Sequence, residues 1–273
     1  MIKVKNLEKA FEYIKLGQFR KVSKKLWEDK DFVMEAIKVN PHSLICASKV
    51  FRADPEIAFY AVEVSSSAII YVSDELKNNK ELVLKAVSKD GHVLAYVSND
   101  MQNDEDVVWA AIQNNGFAII EANERFINMK KYALAALKQN GFVMKYYKDE
   151  FKQDPKFIKA SLIGITRVDP LNIQNVDLKY FGDKEFVNEL KEVLDENARK
   201  IEKREFENPV VKMRLIGRIL RAKNILSDKE KAYKLFKNMQ KQHQKQEDLN
   251  QKIDYVYFQQ NNQEEYENAQ QKD

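Results

Sequence analysis

The sequence predicts an all-α protein: an α-solenoid of about six 25-residue two-helix repeats, then a C-terminal helical cap and an extended polar tail. Three observations carry that expectation. Ala36, Ala61, Ala86, Ala111 and Ala136 recur every 25 residues, with Ser161 in the sixth place. Each is preceded at four residues and followed at one by an apolar side chain, offsets that share one helical face. The competing repeat of similar length, the leucine-rich repeat, needs a Leu-x-x-Leu-x-Leu strand and an Asn ladder, and neither recurs here.

In chain order, residues 1–28 read as an N-terminal helix and a partial repeat, with a half-repeat beginning near Phe11. Residues 29–165 read as the solenoid. Within it the first helix of each repeat carries Phe32, Ile57, Leu82, Val107, Tyr132 or Phe157 before the small residue, and Ile37, Val62, Val87, Ile112, Leu137 or Leu162 after it. Asp29, Asp54, Asn79, Asp104 and Asp154 are N-cap residues by type and place, and Pro55 and Pro155 stand at the tolerated first position. Met129 breaks that rule in the fifth repeat. Gly91, Gly116 and Gly141, in the place of Pro41 and Ser66, suggest left-handed C-caps.

A second helix of about two turns is expected after each stop, from Leu44, Ile69, Leu94, Ile119 and Met144, each followed three residues on by Ala47, Val72, Val97, Ala122 or Tyr147. Ser23, Ser48, Ser73 and Ser98 then repeat ahead of an apolar plug at Leu26, Phe51, Leu76, Met101, Phe126 and Phe151. A single hairpin of this size cannot bury its own apolar stripe, so neighbours must stack.

These repeats resemble the family called domain of unknown function 4116 over roughly residues 29–165. Residues 79–103 carry the resemblance best, where Asn79-Lys80-Glu81-Leu82-Val83-Leu84-Lys85-Ala86-Val87 leads through Gly91 to Leu94-Ala95-Tyr96-Val97-Ser98. The resemblance implies a helical-repeat fold and brings no catalytic residue with it.

After Asp169-Pro170 the period is lost. Residues 166–240 read as a helical cap with basic helices, and 241–273 as a Gln- and Asn-rich acidic tail. The connector 171–182 is followed by a helix opening at Asp183, with Phe186, Val187, Leu190, Val193 and Leu194 on one face. A second helix is expected from Asn208-Pro209, with Val210, Val211, Leu215, Ile216, Ile219 and Leu220 as its apolar side, and a third from the capping box Ser227-Asp228-Lys229-Glu230.

Composition narrows the function classes. Net charge is 46 − 42 = +4, too balanced for whole-protein adhesion to nucleic acid or membrane. The single cysteine, Cys46, excludes an intramolecular disulfide framework and suits a reducing compartment. No apolar run reaches the length of a membrane span, and Met1-Ile2-Lys3-Val4-Lys5-Asn6 has no apolar signal-peptide core. The expected location is intracellular and cytoplasmic, with an organelle as the alternative. His42 and His92 occupy equivalent places two repeats apart, too distant to share a metal, and no glycine-rich phosphate loop occurs. No catalytic, metal, cofactor or small-molecule site is therefore expected.

The expected role is a non-enzymatic protein-interaction scaffold, a subunit of a larger assembly. Its candidate partner-binding residues are repeat positions whose side chains vary: Lys85, Lys138, Glu63 and Gln113, in a strip with Glu35, Tyr60 and Lys38, and an aromatic series of Tyr71, Tyr96 and Tyr146. Tyr255, Tyr257 and Phe258 are the apolar candidates in the tail. The alternative is an RNA- or DNA-binding component. Residues 203–245 hold 13 Lys and Arg against 4 Asp and Glu, whereas 246–273 hold 2 against 7. Arg214, Arg218, Arg221, Lys223, Lys234 and Lys237 are the candidate phosphate contacts.

Overall fold

The computed structural model describes residues 4–205, 211–234, 237, 238, 240, 241, 244 and 245. Among the described residues there is no strand. The chain divides into an N-terminal body, Met1–Asn172, and a C-terminal body, Ile173–Asp273.

The N-terminal body opens with α1 (Val4–Lys15), which ends in a Schellman turn. Gly17 takes φ +69°, its N–H bonds to the Ile14 carbonyl, and the Gln18 N–H bonds to Tyr13. The repeats follow, each built from three pieces instead of two helices. The long helices are α2 (Lys30–Val39), α4 (Pro55–Val64), α6 (Lys80–Lys89), α8 (Glu105–Asn114), α10 (Lys130–Gln139) and α12 (Pro155–Val168). Each of the first five is ten residues long and leads into a 3-10 segment: Pro41–Cys46, Ser66–Tyr71, Gly91–Tyr96, Gly116–Ile120 and Gly141–Tyr146. A single α-turn closes each repeat: α3 (Lys49–Arg52), α5 (Asp74–Lys77), α7 (Asn99–Gln102), α9 (Arg125–Asn128) and α11 (Asp149–Gln153).

The expected two-turn second helix is thus a 3-10 segment plus a separate α-turn, and local chemistry explains why. The apolar pair at i and i+3, Leu44 with Ala47 or Leu94 with Val97, fits three residues per turn. Asn40, Asp90, Asn115 and Asn140 stand in extended backbone and accept from the N–H two residues on, which starts the tighter turn. Ser48, Ser73 and Ser98 then accept from Phe51, Leu76 and Met101 and start the α-turn. The last long helix, α12, runs to 14 residues because Ile165-Thr166 replaces the Asn-Gly of the preceding repeats; it stops at Asp169, whose backbone is extended before Pro170.

The caps form as the sequence suggests. Asp29 accepts from the Phe32 N–H, Asn79 from Leu82, and Asp104 from both Asp106 and Val107. Met129, which has no oxygen to offer, leaves α10 without this bond. The glycines differ from expectation. Gly91, Gly116 and Gly141 have negative φ, and they are glycine because a Cβ would run into the carbonyl oxygen of Ala111, Ala136 or Ser161 of the next long helix. Close approach of adjacent helices, and not a left-handed cap, fixes the residue type.

The core is one continuous stack. Val33, Ala36, Ile37, Ile57, Ala61, Val62, Leu82, Ala86, Val87, Val107, Ala111, Ile112, Ala136 and Leu137 are fully buried. Each large aliphatic side chain so buried contributes roughly 1.5–3 kcal/mol over an exposed one. The sixth small residue, Ser161, is accommodated by donating from Oγ to the Gly141 carbonyl at 3.0 Å.

The C-terminal body contains α13 (Lys184–Lys203), which buries Phe186, Val187, Leu190, Val193 and Leu194 as expected. The second and third expected helices are one, α14 (residues 211–234). Ser227 lies inside it, because no Gly or Pro between 218 and 234 interrupts the helix and its capping box has no free N–H to serve. Its buried face is Ile219, Ala222 and Leu226; Val211 and Leu220, expected on the apolar side, are exposed. Lys191–Glu230 at 2.9 Å, Lys223–Asp195 at 2.6 Å and Lys212 donating to the Glu202 carbonyl run in opposite sequence directions, so α13 and α14 form an antiparallel hairpin.

Candidate partner-binding face

The mixed-charge strip on the long helices is used largely to join one repeat to the next. Glu63 is bound by Lys85 and Lys89, both at 2.8 Å, and the Lys85 and Lys89 ammonium groups hold its carboxyl down at about 2. Lys89 Nζ also reaches the Glu63 carbonyl at 2.9 Å. The same position one repeat on, Asn114, donates to the Ser88 and Lys89 carbonyls, Gln139 donates to Gln113, and Arg167 donates to Lys138 at 3.1 Å. Each of these side chains satisfies carbonyls at the end of the preceding long helix, where no intrahelical partner remains. Glu35 and Lys38 face each other at 3.8 Å, and Tyr60 is half-buried.

A second junction runs along the helix starts. Lys30 binds Asp54 at 2.9 Å and Glu56 at 2.8 Å; two repeats later Lys80 binds Asp104 at 2.9 Å and Asp106 at 2.6 Å. The Lys30 hydrogen bond lowers the Asp54 carboxyl below the ordinary range, and the Glu56 and Asp54 carboxylates raise Lys30. Backbone bonds add a third tie: the N–H groups of Ser73, Ser98 and Asn123 donate to Arg52, Lys77 and Gln102.

The tyrosine series lies on the 3-10 side and does not stack face to face. Tyr71 packs edge-on against His42 of the preceding repeat, with its hydroxyl 3.0 Å from His42 Nδ1. Tyr146 packs edge-on against Phe117, with Lys145 Nζ 4.7 Å from its ring centre. Tyr96 is 50% exposed and lines a groove with Ile70, Asp74, Lys77, Ala95, Val97 and Ser98. His92 Nε2 is 2.6 Å from Asn115 Nδ2.

A further apolar series, not among the candidates above, lies one position before the tyrosines. Ile45, Ile70, Ala95 and Ile120 recur every 25 residues along the 3-10 segments, Ile45 being 52% exposed and Ile120 38%, with Ile70 and Ala95 half-buried. Successive 3-10 segments lie against one another, so these side chains form a strip. Their period was available in the sequence; what hid them was the expectation of an α-helix, which puts a different set of residues outward.

In the C-terminal body, Lys223 is committed to Asp195, whose carboxyl it lowers, and Lys237 stands 5.9 Å from the Tyr233 ring centre. Arg214, Arg221 and Lys234 are exposed and Arg218 is half-buried. Tyr255, Tyr257 and Phe258 lie outside the described residues. Among the described residues, no group of three His, Cys, Asp or Glu is placed to hold a metal ion, and no helix is long and apolar enough to cross a membrane. Cys46 is half-buried, and burial raises its thiol.

Fold and face together define an α-helical repeat protein with an outward apolar strip. Over residues 4–127 the chain is similar to the family described as Domain of unknown function (DUF4116), whose model matches at 4–52, 29–77, 54–102 and 79–127. That match begins one repeat earlier than the resemblance noted above and ends with the fourth repeat, whereas the long helices continue to α12. No curated protein and no solved structure matches the chain.

Proposed function

We propose that this protein is a non-enzymatic interaction scaffold, a subunit of a larger intracellular assembly, and that its 3-10 side receives a protein partner. The observation that carries the reading is the apolar series Ile45, Ile70, Ala95 and Ile120 with Tyr96 beside it. Ile45, Tyr96 and Ile120 lie outside the buried core cluster, which is filled by other residues of each repeat. Exposed Ile45, Tyr96 and Ile120 with the half-buried Ile70 and Ala95 between them, repeated at the spacing of the fold, offer a partner apolar contact. The long-helix strip is the weaker candidate, since Glu63, Lys85, Gln113 and Lys138 take part in joints between repeats.

The test is recovery of the tagged full chain from its native source at moderate and high salt, with nuclease treatment. A fixed set of proteins should co-purify with the native chain and be lost from a variant carrying Ile45→Asp, Tyr96→Asp and Ile120→Asp whose melting temperature is unchanged. Equal recovery by both chains would remove the 3-10 side from consideration, and a set that disappears with nuclease would favour nucleic acid.

A further inference from the structure

Helix α14 carries eight Lys and Arg against two Asp and Glu, 8 − 2 = +6 over residues 211–234, and the C-terminal body uses only part of that charge. Lys223 is bound to Asp195, Lys231 to Asp228, Lys212 to the Glu202 carbonyl, and Lys229 to the Gln174 and Val176 carbonyls. Arg214 and Arg221 are exposed and have no ion-pair or hydrogen-bond partner among the described residues. They stand seven residues apart, two helical turns, and so share a face.

An apolar pair runs beside them at the same interval. Met213 is 70% exposed and Leu220 57%. Between the two lies Gly217, where an added Cβ would meet nothing within 4 Å, so the helix backbone is open in the middle of the strip. The spacing 213, 217, 220 is that of a two-helix seam, and residues 214 and 221 fall at its edge, where charged side chains choose the partner.

We infer that this strip docks an acidic amphipathic helix of a partner protein. Apolar side chains of that helix cover Met213 and Leu220, its backbone comes closest at Gly217, and its Glu or Asp side chains lie along Arg214 and Arg221. A second copy of the same face would bring like charges together. Nucleic acid would use the arginines but leave Met213 and Leu220 in water, and residues 211–221 hold no aromatic ring on which a base could stack. The inference does not depend on the reading of the solenoid face, which lies in the other body.

The experiment uses the full chain and fluorescence anisotropy with four probes. One is a synthetic helix of Glu-rich heptads with Leu at the seam positions; the others are the same peptide with Ser in place of Leu, with Lys in place of Glu, and an oligouridine RNA. The Leu/Glu helix should bind, and the double variant Arg214→Glu, Arg221→Glu should weaken it by about tenfold or more. The Leu/Lys helix should bind that variant better than the native chain. Leu220→Ser should weaken the Leu/Glu helix as well, with the circular-dichroism melt unchanged because the altered groups are exposed. Failure of the Leu/Glu helix to bind, equal binding of the Ser peptide or the RNA with no response to Leu220→Ser, or self-association of the chain abolished by Leu220→Ser would each overturn the inference.

Discussion

The side-chain oxygen of Asn114 accepts the backbone N–H of Gly91 at 2.9 Å, joining the end of one long helix to the start of the 3-10 segment in the repeat before it. The same side chain donates from Nδ2 to the Ser88 and Lys89 carbonyls at 3.0 and 3.2 Å. One amide therefore satisfies a donor and two acceptors that α6 and its exit turn cannot satisfy alone. Gly91 completes the relationship by having no Cβ to hold the Ala111 carbonyl away.

Replacing Asn114 by Ala should cost about 1–2 kcal/mol, because the part-buried Gly91 N–H loses its acceptor. Asn114→Asp should be no better: it keeps that acceptor but sets a carboxylate against two carbonyls at a helix C-terminus. Urea denaturation of both variants measures the difference.

Two glycine substitutions should move stability in opposite directions. Gly116→Ala forces a Cβ into the Ala136 carbonyl and should destabilise by roughly 1–3 kcal/mol. Gly217→Ala adds a methyl group to open space in the interior of α14 and should stabilise the C-terminal body by about 0.5–1 kcal/mol. Thermal melts should separate the two, and a destabilised Gly217→Ala would mean that α14 is packed at that point.

Met129→Asp gives α10 the N-cap acceptor that the neighbouring repeats have. A gain of about 1 kcal/mol is expected, and chemical denaturation would reveal it. No change would mean that the α10 N–H groups are already well served by water.

Glu63 supplies a pH-dependent test. Its carboxyl titrates at about 2 in the folded chain, lowered by Lys85 and Lys89, against an ordinary carboxylate value near 4.5. A lowered folded value means the contribution is present above the ordinary value and is lost as pH falls toward the folded one. The native chain should therefore lose its advantage over Glu63→Gln between about pH 5 and pH 2, and the difference should shrink with added salt because the pair is exposed. Melting temperatures across that range check both statements.

The repeat, the long helices and their caps were legible because each rests on a few local residues: Ala36 and its equivalents, or an Asp or Asn one residue before the helix. The 3-10 segments differ from the expected α-helix because Leu44 and Ala47 share a face in either form; the Asn40 side chain, turned onto the His42 N–H, favours the tighter turn, while Ser66–Tyr71 takes it without such a bond. The Ile45 to Ile120 series is hidden in the sequence for the same reason, since an α-helix would turn other positions outward. The candidate residues Glu63 and Lys85 were visible, but not that they would bind each other across repeats. The capping box at Ser227 was a sound local signal overruled by a helix that had already begun.

The sequence by itself determined the class of fold, the length of the repeat, the starts of its helices and the residues of its core, because hydrophobic periodicity and capping act within one or two turns of chain. The tertiary structure alone decided which glycines mark close approach, which charges join repeats, and which apolar side chains remain outside. Those depend on residues 20 to 29 positions apart meeting in space, as Gly91 meets Ala111 and His42 meets Tyr71. Such meetings are set by how one helix packs on the next, and no local pattern records that distance.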